Sequence, residues 1–151
     1  MTLLSCDVAQ QVYALLHDDL TLKAIQGLEV SLVKDSGALK ATADVGVNQR
    51  IIVRKERCGA SNWNAGGLVL HNQEFVTVEI ICRSLVKAKT DARTFLNTLR
   101  SRIKELMFSY QPLGVGWLDH KEVGDRFPTP PTKVYAYNSI TYQVRTTTGN
   151  V

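Results

Sequence analysis

The hydrophobic and polar positions show their clearest pattern between residues 75 and 110. Apolar and polar residues alternate over residues 75–83, as in a strand with one buried face. After a short polar link the period changes to about 3.6 residues, which is the period of an α-helix. One stripe of that helix carries Ala92, Leu96, Leu99, Ile103 and Leu106, with Phe95, Met107 and Tyr110 at its edges. The sequence therefore predicts a strand followed by a long helix, capped by Thr90 or Asp91, around which the rest of the chain is organised.

Residues 1–27 predict a short N-terminal helical element. Ser5 and Asp7 are residue types that cap helices, and they precede an apolar helical pattern that ends near His17. A second helical piece over residues 20–26 is stopped by Gly27, because glycine adopts the left-handed conformation that ends many helices. We expect this element to cover one edge of a sheet.

The remaining segments predict an α+β fold. Strand patterns occupy residues 28–33, part of 46–57, 115–121 and 133–145, and the three prolines among residues 128–131 predict a loop over 124–131. Residues 58–72 are either a long loop or a hairpin extension, with 68–70 as a candidate short strand, and residues 146–151 are expected to fray. The order favours a single domain over residues 1–151, with a mostly antiparallel or mixed β-sheet and one long helix packed across it.

Composition and charge restrict the function only weakly. The chain has 151 residues, of which 44% are hydrophobic and 21% charged, as in folded soluble proteins. The net charge is +4, and its basic excess lies in the second half, where residues 76–151 carry eleven Lys or Arg against six Asp or Glu. An excess of this size permits contact with nucleic acid or an acidic partner without requiring it.

The cysteines indicate a reducing environment. Cys6, Cys58 and Cys82 lie far apart without a CxxC pair, which argues against a disulfide framework and against a zinc site. No apolar stretch approaches the roughly 20 residues of a membrane-spanning helix. We expect the protein to be made in a cytoplasm, to act there or in a particle assembled there, and to have no membrane partner.

A search for catalytic chemistry finds no strong motif. His17, His71 and His120 are isolated, and no HExxH, GxGxxG, GxxxxGK[ST] or GxSxG pattern occurs. Asp119 and His120 form a candidate acid–base pair, but adjacent residues of a strand point to opposite faces. We therefore expect no enzymatic activity, no catalytic residue, no metal and no cofactor.

The long helix has one basic side that is a candidate functional surface. At 100° per residue, Lys89, Arg93, Arg100 and Lys104 fall within a narrow arc beside the apolar stripe. Such an arc is able to contact phosphates or the carboxylates of a neighbouring subunit. The alternative is that these long side chains cover the rim of the apolar stripe while their charges stay in water. In the 58–72 segment, Trp63 is a candidate loop contact.

The layout of the chain resembles the tail terminator, or tail completion, proteins of tailed bacteriophages. The resemblance rests on an N-terminal helix that closes on Leu15-Leu16-His17-Asp18-Asp19-Leu20, followed by Leu22-Lys23-Ala24-Ile25 and Gly27. It also rests on the strand over 76–83 that leads into the helix over 92–107, and on a long final strand over 137–145. These patterns cover most of the chain.

The resemblance implies a structural subunit that forms a homo-oligomeric ring, typically a hexamer, on the last ring of the tail tube. Its partners would be itself, the tail tube protein and a neck or head-completion protein, with genomic DNA passing through the channel without sequence-specific binding. The protein would then be located in the virion, at the head-proximal end of the tail, after assembly in the host cytoplasm. Two alternatives stay open: a small basic nucleic-acid-binding module that uses the helix arc, and another neck or connector subunit.

Overall fold

Two long antiparallel strands form the centre of the fold. The computed structural model describes residues 7–33, 49–55, 61–63, 69–84, 91–112 and 116–149. Within them, strand β4 (Val69–Arg83) pairs with strand β6 (Tyr135–Gly149) over its entire length. The predicted strand is confirmed, and the apolar positions of its alternating pattern are fully buried: Val76, Val78, Ile80 and Cys82.

The other described elements are arranged around this pair. The helices are α1 (Val8–Asp18), α2 (Leu20–Lys23) and α3 (Ala92–Ser109). The further strands are β1 (Leu28–Val33), β2 (Gln49–Lys55), β3 (Ser61–Trp63) and β5 (Trp117–Arg126). The strand order is β1-β2-β4-β6-β5, with β3 paired to β4 outside this order, and β1 is parallel to β2 while the other pairs are antiparallel. The predicted α+β class, with a mixed sheet and one long helix, is confirmed.

Helix α3 packs its apolar stripe on the face formed by β4 and β6. Asp91 caps the helix, since its carboxylate accepts a hydrogen bond of 2.9 Å from the backbone N–H of Arg93. The buried residues of the helix are Ala92, Leu96, Leu99, Ile103 and Met107. The structure thus buries Met107, which was expected at the edge of the stripe, and leaves Leu106 half-buried. Met107 lies four residues after Ile103, which is one helical turn.

The N-terminal helices join the edge of the sheet to α3. Asp7, rather than Ser5, caps α1 by accepting a hydrogen bond of 3.1 Å from the N–H of Gln10. Asp19 caps α2 through the N–H of Leu22 at 3.1 Å and also binds the guanidinium of Arg102 on α3, at 2.6 Å. Gly27 then turns the chain into β1 with a φ of 76°, a conformation that few other residues adopt.

The 58–72 segment contains a hairpin in its described part. Strand β3 pairs with the start of β4, so that Ser61 faces Asn72 and Trp63 faces Leu70. The predicted short strand at 68–70 is, from Val69 onwards, the first part of β4. Strand β4 therefore begins six residues before the start of the alternating pattern. The side chains of this hairpin and residues 58–60 and 64–68 lie outside the described residues.

Three predicted boundaries in the second half are wrong. Strand β5 continues to Arg126, so residues 124–126 belong to the sheet and not to the expected loop. Strand β6 begins at Tyr135 and continues to Gly149, so residues 146–149 are paired and not frayed. At the two ends that extend further than predicted, a neighbouring strand supplies hydrogen bonds to residues whose own pattern is too polar or too irregular to indicate a strand.

The packing of α3 yields a stability prediction. We expect Leu99→Ala to lower the free energy of unfolding by about 2–5 kcal/mol, because Leu99 is fully buried between the helix and the sheet. Urea denaturation followed by circular dichroism measures this difference. The matched control is Asn97→Ala, an exposed position on the same helix, for which we expect a change below about 0.5 kcal/mol. Equal effects of the two substitutions would contradict the packing.

Candidate functional site

The predicted basic arc is brought together only in part, and its described members are all paired with carboxylates. Arg93 binds Asp91 at the start of α3, at 2.8 Å. Two turns further along, Arg100 and Lys104 converge on Asp125 of β5. Lys89 lies outside the described residues. Of the described members, Arg100 and Lys104 thus form helix-to-sheet ion pairs, and Arg93 pairs with the N-cap residue of its own helix.

Asp125 is the centre of this arrangement. Its carboxylate accepts hydrogen bonds from the guanidinium of Arg100, from Nζ of Lys104 at 2.8 Å and from Nδ2 of Asn138 at 2.8 Å. Burial of the carboxyl group favours its neutral form, but the hydrogen bonds from Arg100, Asn138 and Lys104 outweigh burial and lower the pKa of Asp125 to about 2. Lys104 also binds Glu122 at 3.1 Å. The cluster ties α3 to β5 and β6.

Arg100 is held from a second direction. Its guanidinium carbon lies 5.7 Å from the centre of the Phe127 ring, within the range of a cation–π interaction. On the other flank of the helix, Arg102 binds both Asp19 and Glu105. A phosphate that approached α3 would have to displace these carboxylates, which opposes nucleic-acid binding by this surface.

A groove lies between the last turns of α3 and strand β5. Its volume is about 780 Å³, within the range of small-molecule sites. Aromatic rings form its floor: Tyr110 and Trp117 lie edge to face with centroids 5.2 Å apart, and His120 lies 5.3 Å from Trp117 and 6.4 Å from Tyr142. Two apolar side chains of its lining are open to solvent, since Phe108 is 92% exposed and Leu118 is 49% exposed. Charged residues also line the groove: Lys104, Asp119, Lys121 and Glu122.

The hydrogen bonds of His120 assign it a structural role in this floor. Nε1 of Trp117, which is only a donor, donates to Nδ1 of His120 at 3.1 Å. The proton of a neutral imidazole is then on Nε2, which donates to the carbonyl of Met107. Both ring nitrogens are occupied, and the ring links β5 to the end of α3.

Asp119 has a different partner on the other side of β5. Both of its carboxylate oxygens accept hydrogen bonds from the guanidinium of Arg145. That pairing lowers the pKa of Asp119 below its usual range. Asp119 and His120 are therefore not joined to one another as an acid–base pair.

Two β-bulges shape the strand beside the groove. In the pairing of β5 with β6, Leu118 is an extra residue between Trp117 and Asp119, and Val123 is an extra residue between Glu122 and Gly124. The first bulge places Trp117 and His120 on the same side, although they are three residues apart. Both inserted residues are apolar and exposed, Leu118 at 49% and Val123 at 45%. Nothing in the periodicity of the sequence indicates either bulge.

The remaining candidates and the comparisons add no further chemistry. The side chain of Trp63 lies outside the described residues. Among the residues that the structure does describe, no group of three or more His, Cys, Asp and Glu side chains is placed to hold a metal ion, and no helix is long and apolar enough to span a membrane. No protein-family model and no curated protein sequence matches the chain.

The Asp125 cluster predicts a dependence of stability on acid. The pKa of Asp125 is lower in the folded state, about 2, than its ordinary value of 3.8, so its stabilisation is complete above about pH 5 and is lost as the pH falls towards 2. At pH 6 we expect Asp125→Asn to be less stable than the wild type by on the order of 2 kcal/mol, and we expect this difference to shrink towards pH 2. Urea denaturation at a series of pH values measures it.

The control for this experiment is Glu122→Gln, which removes an exposed partner of the same Lys104. Its effect should stay below about 1 kcal/mol at every pH, because exposed ion pairs contribute little. A difference between wild type and Asp125→Asn that is constant from pH 6 to pH 2 would contradict the role of the Asp125 carboxylate.

Proposed function

We propose that the chain is a structural subunit of a phage tail, a tail terminator that forms a ring, with six copies as the expected number. The ring caps the last ring of the tail tube, stops its growth and joins the tail to a neck or head-completion protein. DNA passes through its channel without sequence-specific recognition. The resemblance of the chain to this family is the starting point of the proposal.

The observation that carries the proposal is the placement of exposed apolar side chains at one edge of the sheet. Phe108 and Leu118 lie together on the groove beside β5, the last strand of the order β1-β2-β4-β6-β5, whereas Val123 lies on the other face of the sheet, with Thr77 and Thr141. Exposed apolar side chains grouped on one surface mark protein–protein contacts. The opposite edge is formed by a different strand, β1, so a contact that joins the two edges of successive copies is head-to-tail and closes into a ring when the rotation permits.

The use of charged and polar groups also supports a structural role. Arg100, Lys104, Asp125 and His120 each make contacts that join α3 to the sheet. Function would then reside in the shape of the subunit and in its contacts. The nucleic-acid-binding alternative gains no support from the described part of the arc, because Arg93, Arg100 and Lys104 have carboxylate partners.

The proposal predicts rings of the purified protein. We expect sedimentation velocity and light scattering to show a species of six times the 16.8 kDa subunit mass, and negative-stain images to show rings with a central channel. Added to purified tail tubes, the labelled protein should occupy one end only, the end that meets the head. A protein that remains monomeric at millimolar concentration and caps no tubes would overturn the proposal. Rings that bind the head portal but no tube would favour another neck or connector subunit.

A second prediction separates this function from the nucleic-acid-binding alternative. We expect the protein not to bind DNA through phosphate contacts, because each such contact requires a free cation. The salt-dependent affinity that such contacts produce should therefore be absent. Fluorescence anisotropy with a labelled duplex between 50 and 300 mM salt measures it, with salt concentrations chosen around the physiological range of roughly 150 mM. Binding that falls steeply with salt, and that Arg93→Gln weakens while Lys121→Gln on β5 does not, would support the alternative instead.

A further inference from the structure

The two edges of the sheet differ in how they are protected against the addition of a further strand. Strand β5, at one edge, has two bulges in its pairing with β6 and carries Lys121. Bulges and lysines are features that keep edge strands from pairing with other chains. Strand β1, at the other edge, pairs with β2 over six consecutive residues without a bulge, and its sequence contains no proline, glycine or lysine. The regular edge at β1 is therefore the one suited to accept a further strand.

The register of β1 determines which of its backbone groups face outward. The N–H of Gln49 donates to the carbonyl of Gly27 at 3.3 Å, and along a parallel pair every second residue bonds to the neighbouring strand. The residues of β1 that bond to β2 are Glu29, Ser31 and Val33. The residues whose N–H and C=O groups point away from the sheet are Leu28, Val30 and Leu32. No strand in the described part of the chain pairs with this side of β1.

The side chains of the three outward residues are also incompletely covered. They lie on the helix side of the sheet, because they are paired with alternate residues of β2 that include the fully buried Ile51 and Val53. There they pack against the core but are only half-buried. A strand added at this edge would complete their burial and would bind their backbone groups at the same time.

The sequence of β1 is complementary to itself in an antiparallel pair. When Val30 lies opposite Val30 of a second copy, Leu28 of each copy faces Leu32 of the other. All three outward residues then occupy hydrogen-bonded positions of the ladder, so each N–H has a carbonyl partner. Apolar side chains meet apolar side chains on the helix side. On the opposite side Glu29 faces Ser31, so no like charges are opposed.

Other registers fit less well. A shift of one residue places outward residues opposite residues that are already bonded to β2. A shift of two residues in either direction leaves one outward residue of β1 without a partner in the second β1, and one of these shifts places Glu29 opposite Glu29, which is unfavourable. The register centred on Val30 is therefore the preferred one.

We propose that β1 of one copy pairs antiparallel with β1 of a second copy, across a two-fold axis at Val30, and joins the two sheets into one. The contact is isologous and closes at two copies, so it goes beyond the proposed function and does not rest on it. A copy whose β1 edge is paired in this way has that edge closed to any head-to-tail contact. The dimer is thus a form of the subunit outside the ring.

The first test reads the register with single cysteines in the full chain. The background carries Cys6→Ser and Cys58→Ser, and the buried Cys82 is kept. Val30→Cys places two thiols opposite one another on the axis, with Cα atoms about 5.5 Å apart, which suits a disulfide. The matched control is Ser31→Cys, whose partner across the axis is a different residue. We expect oxidised glutathione to convert the first variant to a covalent dimer on non-reducing gels, on the order of tenfold more than the control.

The second test changes the charge that faces Glu29. Its carboxylate is 40% exposed and lies 3.6 Å from Arg50, which leaves it open to a further partner. In sedimentation equilibrium we expect Ser31→Lys to lower the Kd of the dimer about fivefold, because it forms two new opposite-charge pairs, and Ser31→Glu to raise it by about as much. The controls are Asn97→Lys and Asn97→Glu at an exposed site on α3, which should change the Kd by less than about twofold. Urea denaturation checks that each variant keeps the fold.

The outcomes separate this inference from the proposed function. A wild type without a two-copy species, equal crosslinking of the two cysteine variants, or shifts of the same sign for Ser31→Lys and Ser31→Glu would each overturn the β1 contact. Rings without dimers would overturn it and leave the proposed function untouched. Dimers that crosslink through Val30→Cys, with no rings, would support the contact and overturn the proposed function.

Discussion

The pairing of β4 with β6 is the interaction on which the rest of the structure depends. These strands pair residue by residue from Val69 with Gly149 to Arg83 with Tyr135, so a shift of one residue would turn every apolar side chain of one strand away from α3. Val78 faces Ile140 and Val76 faces Tyr142 on the helix side, while Thr77 and Thr141 share a hydrogen bond of 3.1 Å on the other side. Burial on one face and polar pairing on the other both maintain this register.

The same register determines which charges meet. Asn138 lies opposite Ile80, which directs its amide to the helix side of the sheet, and there it reaches Asp125 on the neighbouring β5. Arg100 and Lys104 approach that carboxylate from α3, which packs over the same strands. The positions of Arg100 and Lys104 on the helix thus match the position of Asp125 on the sheet. Without Asp125, Arg100 would be partly buried without this carboxylate and Lys104 would keep only Glu122, and a buried charge that loses its partner is costly.

Local patterns predicted the elements, and long-range pairing determined the rest. The strand over residues 28–33 and the cap at Asp91 are evident from sequence because alternation and capping act over a few residues. The partner of Arg100 is not evident, because Asp125 is 25 residues away and reaches the helix only through the strand order. The contact of Trp117 with His120 depends on the bulge at Leu118. In the sequence, the two bulged positions of β5 look the same as ordinary interruptions of a strand pattern.

The bulges also decide what kind of contact β5 is able to make. Between Leu118 and Val123 only four residues of β5 keep a regular alignment with β6, and short, bulged edge strands resist the addition of another strand. Association at this edge therefore favours side chains over a backbone ladder. Leu118 and Phe108 provide apolar side chains there, and the groove behind them provides depth.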